Sequence, residues 1–148
     1  MHEAIRAALA AATLYTDDRE YCLIHLPARA ILPAAAVLAE SAESFSALIV
    51  DKDEVTLVLS AERLEDFSDR LPGHEATCGY HLLTFDLPLE HNLIGFLSVV
   101  SRELAAAGVS IMALSAYERD HLLIPDAQLE TAIIALNALK DSAATPGT

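Results

Sequence analysis

The sequence predicts an α+β protein with antiparallel sheets and with helices packed on one face of each sheet. Segments typical of strands and helices follow each other as strand–helix–strand–strand–helix, and this order occurs twice. The two copies also match locally, since LVLSAERLE (57–65) aligns with LLIPDAQLE (122–130) without a gap. A unit of this order packs in the ferredoxin-like arrangement, here without its final strand.

The duplication predicts a tandem repeat with a period of about 60 residues. We expect an N-terminal repeat over residues 1–72 and a C-terminal repeat over residues 73–148. Because each predicted sheet lacks a strand, its open edge exposes unpaired N–H and C=O groups. The repeats should therefore pair edge to edge or exchange an element.

The first copy is built from short segments bounded by turn residues. Before it, residues 2–13 predict an amphipathic helix. The other predictions are a strand at 19–27 ended by Pro27, a helix at 31–42, a hairpin at 46–61 turning at DKDE, a helix at 62–71 and a connector at 72–79.

The second copy repeats the order with clearer helix signals. It predicts a strand at 80–88, a helix capped by Asn92 and ended by a left-handed Gly108, a hairpin at 110–125 turning at YERD, and a last helix capped by Asp126. Apolar spacings of three and four give the first of these helices one buried stripe, from Leu93 to Leu104. The tail SAATPGT (142–148) is predicted to be disordered.

Composition excludes several classes of function. Hydrophobic residues are 53% and charged residues 21% of the 148, which suits a folded domain with a core. The 22 acidic residues outnumber the 9 basic ones, giving a net charge of −13 that opposes nucleic-acid binding. Glu3 and Arg6 interrupt the alanine-rich N-terminus, so we interpret it as a helix and not as a signal peptide. We expect a cytoplasmic protein that does not interact with membranes.

No motif for catalysis, for a cofactor or for a metal stands out. The six histidines lack the spacing of metal ligands, so neither a metal nor another cofactor is predicted. His121 follows Asp120, but neighbouring residues on a strand point to opposite faces. Cys22 and Cys78 are expected to be small, buried, reduced residues, with a disulfide or a catalytic thiol as the alternative.

The stretch NLIGFLSVVSRELAAAGVSIMALSAYERDHLLIP (92–125) resembles the ACT domain, the small regulatory module of amino-acid metabolism. The chain most resembles short tandem-ACT proteins related to the regulatory region of aspartate kinase and to the cytosolic arginine sensors. The shared features are a loop reaching Gly95, a helix ending LAAAGVSI and a hairpin closing DHLLIP. The second copy, 80–139, carries the specific match, and the first, 21–71, matches by pattern.

The resemblance implies a non-catalytic regulatory protein. It would bind a free amino acid or similar small metabolite at an interface between ACT repeats, most simply as a homodimer, and signal to a protein partner not yet identified. The implied ligand-binding residues are Asn92, Leu93, Ile94, Gly95, Ser115, Tyr117 and Asp120. Backbone at Gly95 would approach the ligand, Asp120 would hold an ammonium or guanidinium, and the strand hydroxyls would add hydrogen bonds.

Other interpretations stay open. Gly95 would also suit close packing of a helix, Asp120 a turn, and Ser115 with Tyr117 cross-strand pairing. Glu90 and His91 could belong to the pocket or only to its loop. The first copy has no glycine in the corresponding loop, LPARAILPAAA, so one kind of site per chain is expected. The alternative functions are a structural protein–protein interaction module and a small enzyme.

Overall fold

Five α-helices and seven β-strands make up residues 1–145, the part of the chain that the computed structural model describes. In chain order they are α1 (Glu3–Ala11), β1 (Thr13–Thr16), β2 (Tyr21–Pro27), α2 (Ile31–Ser41), β3 (Ala47–Val50), β4 (Glu54–Ser60), α3 (Ala61–Phe67), β5 (Glu75–Asp86), α4 (Phe96–Ala106), β6 (Met112–Ser115), β7 (Asp120–Pro125) and α5 (Leu129–Ala144). The predicted order of elements is confirmed in both copies. None of the described helices has the length and apolar character needed to cross a bilayer.

The chain forms two compact units whose boundary differs from the predicted division at residues 72 and 73. The central unit is Arg19–Tyr80, and the split unit joins Met1–Asp18 to the chain from His81 onward. The difference has a physical cause, because each unit needs a fourth strand to pair with its sheet. The first half of β5 supplies that strand in the central unit, and β1 supplies it in the split unit. Residues 75–79, predicted as a connector, are therefore strand.

The central unit is a sheet in the order β3–β4–β2–β5, with the strand pairs antiparallel. Alternate residues of its strands are buried on one face, among them Ile24 and Leu57, and α2 packs there through Ala34 and Val37. At the β3–β4 turn, the backbone amides of Asp53 and Glu54 donate to Asp51 and lower the pKa of its carboxyl. The turn is thus fixed by the aspartate that begins DKDE.

A buried carboxylate joins three elements of the central unit. The Glu43 side chain is 1% exposed and accepts hydrogen bonds from the Ser60 hydroxyl, the Ser60 amide at 3.0 Å and the Arg19 guanidinium at 2.9 Å. The Ser60 hydroxyl in turn accepts from the Arg63 amide and so caps α3. This network holds the segment that follows α2 against the start of α3.

We expect Glu43→Ala to lower the free energy of unfolding by about 2–3 kcal/mol, because buried donors on Ser60 lose their acceptor. Urea denaturation gives the value. Glu40→Ala is the matched control, since Glu40 is half exposed and also pairs with an arginine, Arg70. The control should cost under about 1 kcal/mol. Equal effects of the two substitutions would contradict the role assigned to Glu43.

The split unit is a sheet in the order β1–β5–β7–β6. Leu83 and Phe85 on β5 and Leu122 and Ile124 on β7 share one face and are buried. Helices α1, α4 and α5 cover that face, as the predicted stripe of α4 requires, with Val100 and Leu104 among its buried residues. The antiparallel ferredoxin-like fold with helices on one face is confirmed in both units.

Three ends of two helices, α4 and α5, can be compared with the predictions. Gly108 has a φ of 75°, and its amide and that of Val109 bond to carbonyls at the end of α4, as predicted for a left-handed stop. Asp126 is not the cap of α5, which begins at Leu129 after a short 3₁₀ turn. The same helix continues to Ala144, so residues 142–144 of the predicted disordered tail are helical. Residues 146–148 lie outside the described residues.

The cysteines are not reduced as expected, because Cys22 and Cys78 form a disulfide inside the central unit. Pairing between β2 and β5 shifts register between Tyr21–Tyr80 and Leu23–Thr77, so that one residue of β2 faces two of β5. Cys22 and Cys78 meet at this bulge, where Gly79 adopts a φ of 90°. Because Gly79 was interpreted as a turn residue, Cys78 was predicted to lie in a connector and its pairing with Cys22 was not expected.

Candidate functional site

An open cleft of about 420 Å³ lies in the split unit, between the loop after β5, the first turn of α4 and the β6–β7 hairpin. Every residue that lines it belongs to this one unit. The lining combines apolar, acidic and hydroxyl side chains: Leu89, Glu90, His91, Leu93, Gly95, Phe96, Leu97, Ser98 and the hairpin segment 115–120.

Five of the seven predicted ligand-binding residues line this cleft, namely Leu93, Gly95, Ser115, Tyr117 and Asp120. Asn92 lines an adjoining depression formed with residues 88–91 and Glu118. Ile94 lines neither depression, and 87% of its surface is exposed. Glu90 and His91, for which the sequence did not decide between the pocket and its loop, line both the cleft and the adjoining depression.

The predicted cap of α4 is wrong. The helix begins at Phe96 with Gly95 as its N-cap, and no side chain caps it. Asn92 lies in a turn three residues too early to reach the first-turn amides. The first-turn residues 96–98 therefore line the cleft without a side-chain cap, and the first amides of a helix have no acceptor within the helix.

Gly95 is required by its backbone. Its φ of 91° is left-handed, a conformation that side chains other than glycine rarely adopt. A Cβ at this position would approach Ile5 Cδ1 of α1 to 3.4 Å. That distance is an ordinary van der Waals contact, so the left-handed turn into α4, and not a lack of space, is what calls for glycine here.

Asp120 is the first residue of β7 and not part of the turn. It pairs in register with Ser115 of β6, whose hydroxyl donates to Asp120 Oδ1 at 2.6 Å. Because strand residues alternate, Asp120 shares the helix-covered face with Leu122. This alternation is what brings the Asp120 carboxylate to the cleft beside the start of α4.

The rim of the cleft carries one residue, Arg119, and one contact, between His91 and Tyr117, that the sequence did not indicate. Arg119 donates to Asp86 Oδ1 at 3.1 Å, which ties the hairpin turn to the end of β5. The rings of His91 and Tyr117 meet edge to face with centroids 4.1 Å apart. Arg119 could have been noticed as the one basic residue of the YERD turn, whereas the His91–Tyr117 contact joins distant segments and has no local signal.

His121 lies outside the cleft, on the opposite face from Asp120, as strand alternation predicts. Its Nδ1 lies 2.8 Å from the Thr84 hydroxyl of β5. Burial lowers the pKa of the imidazole below its ordinary 6.5, Asp120 raises it and Arg119 lowers it further. No three His, Cys, Asp or Glu residues within 1–145 are grouped so that they could hold a metal ion.

The lowered pKa of His121 predicts how stability depends on pH. The unfolded chain takes up this proton more readily than the folded one, so stability is retained above pH 6.5 and is lost as the pH falls below it. We expect His121→Gln, which can still bond to Thr84, to lose less stability between about pH 7.5 and about pH 5. Urea unfolding of both proteins at each pH measures this, and parallel curves would contradict it.

Fold and site together define an α+β protein of two ferredoxin-like units, one of which carries an open cleft at a helix N-terminus. The ACT domain family model matches residues 75–138. The match covers less than half of the chain and shows that this part is similar to ACT domains, which confirms the resemblance predicted from the sequence. Among curated protein sequences, none matches the chain.

Solved structures share the fold over nearly the whole chain. An Agrobacterium tumefaciens protein is 23% identical and has a TM-score of 0.69, with 87% of this chain and 89% of that one covered. A Vibrio cholerae protein of unknown function, described as a possible transport protein, is 19% identical with a TM-score of 0.69, covering 93% and 97%. The ligand-free regulatory subunit of aspartate kinase from Thermus thermophilus is 14% identical with a TM-score of 0.68, covering 86% and 98%. At these identities the likeness shows the fold.

Proposed function

We propose that the protein is a non-catalytic regulatory protein that binds a free amino acid, or a similar zwitterionic metabolite, in the cleft beside α4. One observation carries the proposal: the cleft places the uncapped first turn of a helix opposite a positioned carboxylate. Its volume of about 420 Å³ lies in the range of small-molecule sites. An amino acid carries the two charges that these two groups complement.

The start of α4 is suited to the ligand's carboxylate. Residues 96–98 line the cleft, and amides of a first turn together with the helix dipole favour a negative charge. Gly95 contributes indirectly, because its left-handed backbone lets the helix begin at Phe96.

Asp120 is suited to the ligand's ammonium group. Ser115 donates to Oδ1 and fixes the side chain, which leaves Oδ2 as an acceptor for a charge-assisted hydrogen bond. Glu90 and Glu118 add negative charge, while Arg119 is already bonded to Asp86. We therefore expect cationic amino acids to bind more tightly than acidic ones.

A second copy of the chain would complete the site. Tyr117 lines the cleft and is 80% exposed, and Ile94, next to Gly95, is 87% exposed. Large apolar side chains left in water at the edge of a cleft favour a covering surface. In the proposed homodimer a partner unit covers them, and ligand binding changes the arrangement that a regulated protein recognises.

The regulatory role is supported by the ACT family match and by the aspartate kinase regulatory subunit that shares the fold. The alternative, a structural interaction module, would use the same exposed edges without a ligand. A small enzyme remains the third candidate, and it would require turnover that is lost in His121→Ala.

A thermal-shift screen with the twenty amino acids and common nucleotides tests the proposal. A ligand at 100 times its dissociation constant adds about 2.7 kcal/mol, which raises the melting temperature by several degrees. We expect a shift with one or a few amino acids and none with nucleotides. Cleanly folded protein that shows no shift with any of them would favour the interaction module.

A further inference from the structure

We propose that the Cys22–Cys78 disulfide is a site of reversible thiol–disulfide exchange, at which a soluble dithiol attacks the sulfur of Cys78. The bond lies entirely within the central unit, and this inference does not depend on ligand binding in the split unit. Three features of the central unit carry it: unequal burial of the two cysteines, the position of the bond at a bulge, and the exposure of the strand that it holds.

The two cysteines differ sharply in burial. Cys22 is 0% exposed and belongs to the core cluster with Ile24 and Val37, whereas Cys78 is exposed. An incoming thiolate must reach a sulfur along the S–S axis, and access controls which sulfur is attacked. The geometry points to Cys78 as the attacked residue and to Cys22 as the residue that is released and later re-forms the bond.

The exchange balances with a dithiol as the reductant. One thiolate of the dithiol forms a bond to Cys78 Sγ, the protein S–S bond breaks, and its electron pair leaves on Cys22 Sγ, which takes a proton from solvent. The second thiolate of the dithiol then attacks the mixed disulfide and releases Cys78 as a thiolate, which is also protonated. The dithiol is oxidised to its disulfide and the protein is reduced to two thiols.

Reduction should loosen the first half of β5. Residues 75–78 of this strand are all exposed. On this side of the bulge the strand pairs with β2 through only three residue pairs, Leu23–Thr77, Ile24–Ala76 and His25–Glu75. A strand that buries no large side chain is held mainly by its backbone bonds. The disulfide is the link that ties this strand to the core through Cys22.

Labelling measures the order of attack. In the oxidised protein we expect maleimide to label neither cysteine, and after treatment with dithiothreitol to label both. The single variants Cys22→Ala and Cys78→Ser each leave one thiol. Cys78 in the first variant should react with maleimide at least about tenfold faster than Cys22 in the second, because reactivity follows exposure. Circular dichroism confirms that both variants fold.

Hydrogen exchange on the wild-type protein tests the structural consequence without any substitution. We expect reduction to speed amide exchange in residues 75–80, with β4 of the same unit as the internal reference. Re-oxidation by a small-molecule disulfide should restore both slow exchange and resistance to maleimide. The proposal is overturned if the purified protein contains free thiols under air, if Cys22 reacts as fast as Cys78, or if exchange in 75–80 does not respond to reduction.

Discussion

Reducing the Cys22–Cys78 disulfide is expected to lower the free energy of unfolding of the central unit by about 4 kcal/mol. The cysteines are 56 residues apart, and the cross-link removes the chain entropy of that loop from the unfolded state. Urea denaturation with and without a phosphine reductant measures the change, which should appear as a large fall in the midpoint.

The double variant Cys22→Ala/Cys78→Ser is the control for reduction. It should unfold near the midpoint of the reduced wild type, and adding reductant should leave its midpoint unchanged. A wild-type midpoint that does not respond to reductant would contradict the estimate, because the bond would then contribute nothing to stability.

Asp120→Asn is expected to weaken binding of the amino acid found in the screen by about 10- to 100-fold, equivalent to roughly 1.5–3 kcal/mol. Asparagine keeps the size of the side chain and can still accept from Ser115, but it loses the charge that would pair with the ligand's ammonium group. Isothermal titration calorimetry gives the ratio of dissociation constants.

Glu130→Gln provides the matched control for this loss of charge. Glu130 is an exposed carboxylate on α5 of the same unit and does not line the cleft. We expect its affinity to equal that of the wild type, and the melting temperature without ligand to be similar in all three proteins. Equal affinity of Asp120→Asn and the wild type would remove Asp120 from the binding site.

The order of secondary structure could be predicted from the sequence because the short segments carry strong local signals. The part of the apolar stripe from Leu97 to Leu104 and the stop at Gly108 define α4, although Leu93 lies before the helix, and the turns DKDE and YERD define both hairpins. The local match between the two copies then indicated the duplication, and with it the ferredoxin-like class. These signals depend only on neighbouring residues, which a single sequence shows directly.

The partner of each sheet edge could not be predicted, because pairing between distant strands leaves no local pattern. The short strand Thr13–Thr16 pairs with the second half of β5, about seventy residues later in the chain. Its four residues, TLYT, favour a strand, but they do not indicate which distant strand they pair with. The same limitation concealed the first half of β5 and, with it, the disulfide between Cys22 and Cys78.

Part of the candidate site could be predicted from the sequence, namely the residues whose positions follow from local patterns. Residues on the hairpin and at Gly95 follow from the resemblance and from strand alternation, and the structure brings them together around one cleft. Asn92 was misassigned because asparagine is a strong cap, while the sharp turn at Gly95 delays the helix by three residues. That the residues lining the cleft bind a ligand stays a prediction.

Mapping the ligand by nuclear magnetic resonance tests the central claim most directly. Backbone amide shifts of the ¹⁵N-labelled protein are recorded while the amino acid from the screen is added to saturation. We predict that the largest changes fall in 95–98 at the start of α4 and in 115–120 of the β6–β7 hairpin. Changes concentrated elsewhere, for example along the groove lined by Arg6 and Ala143, would contradict the proposed site.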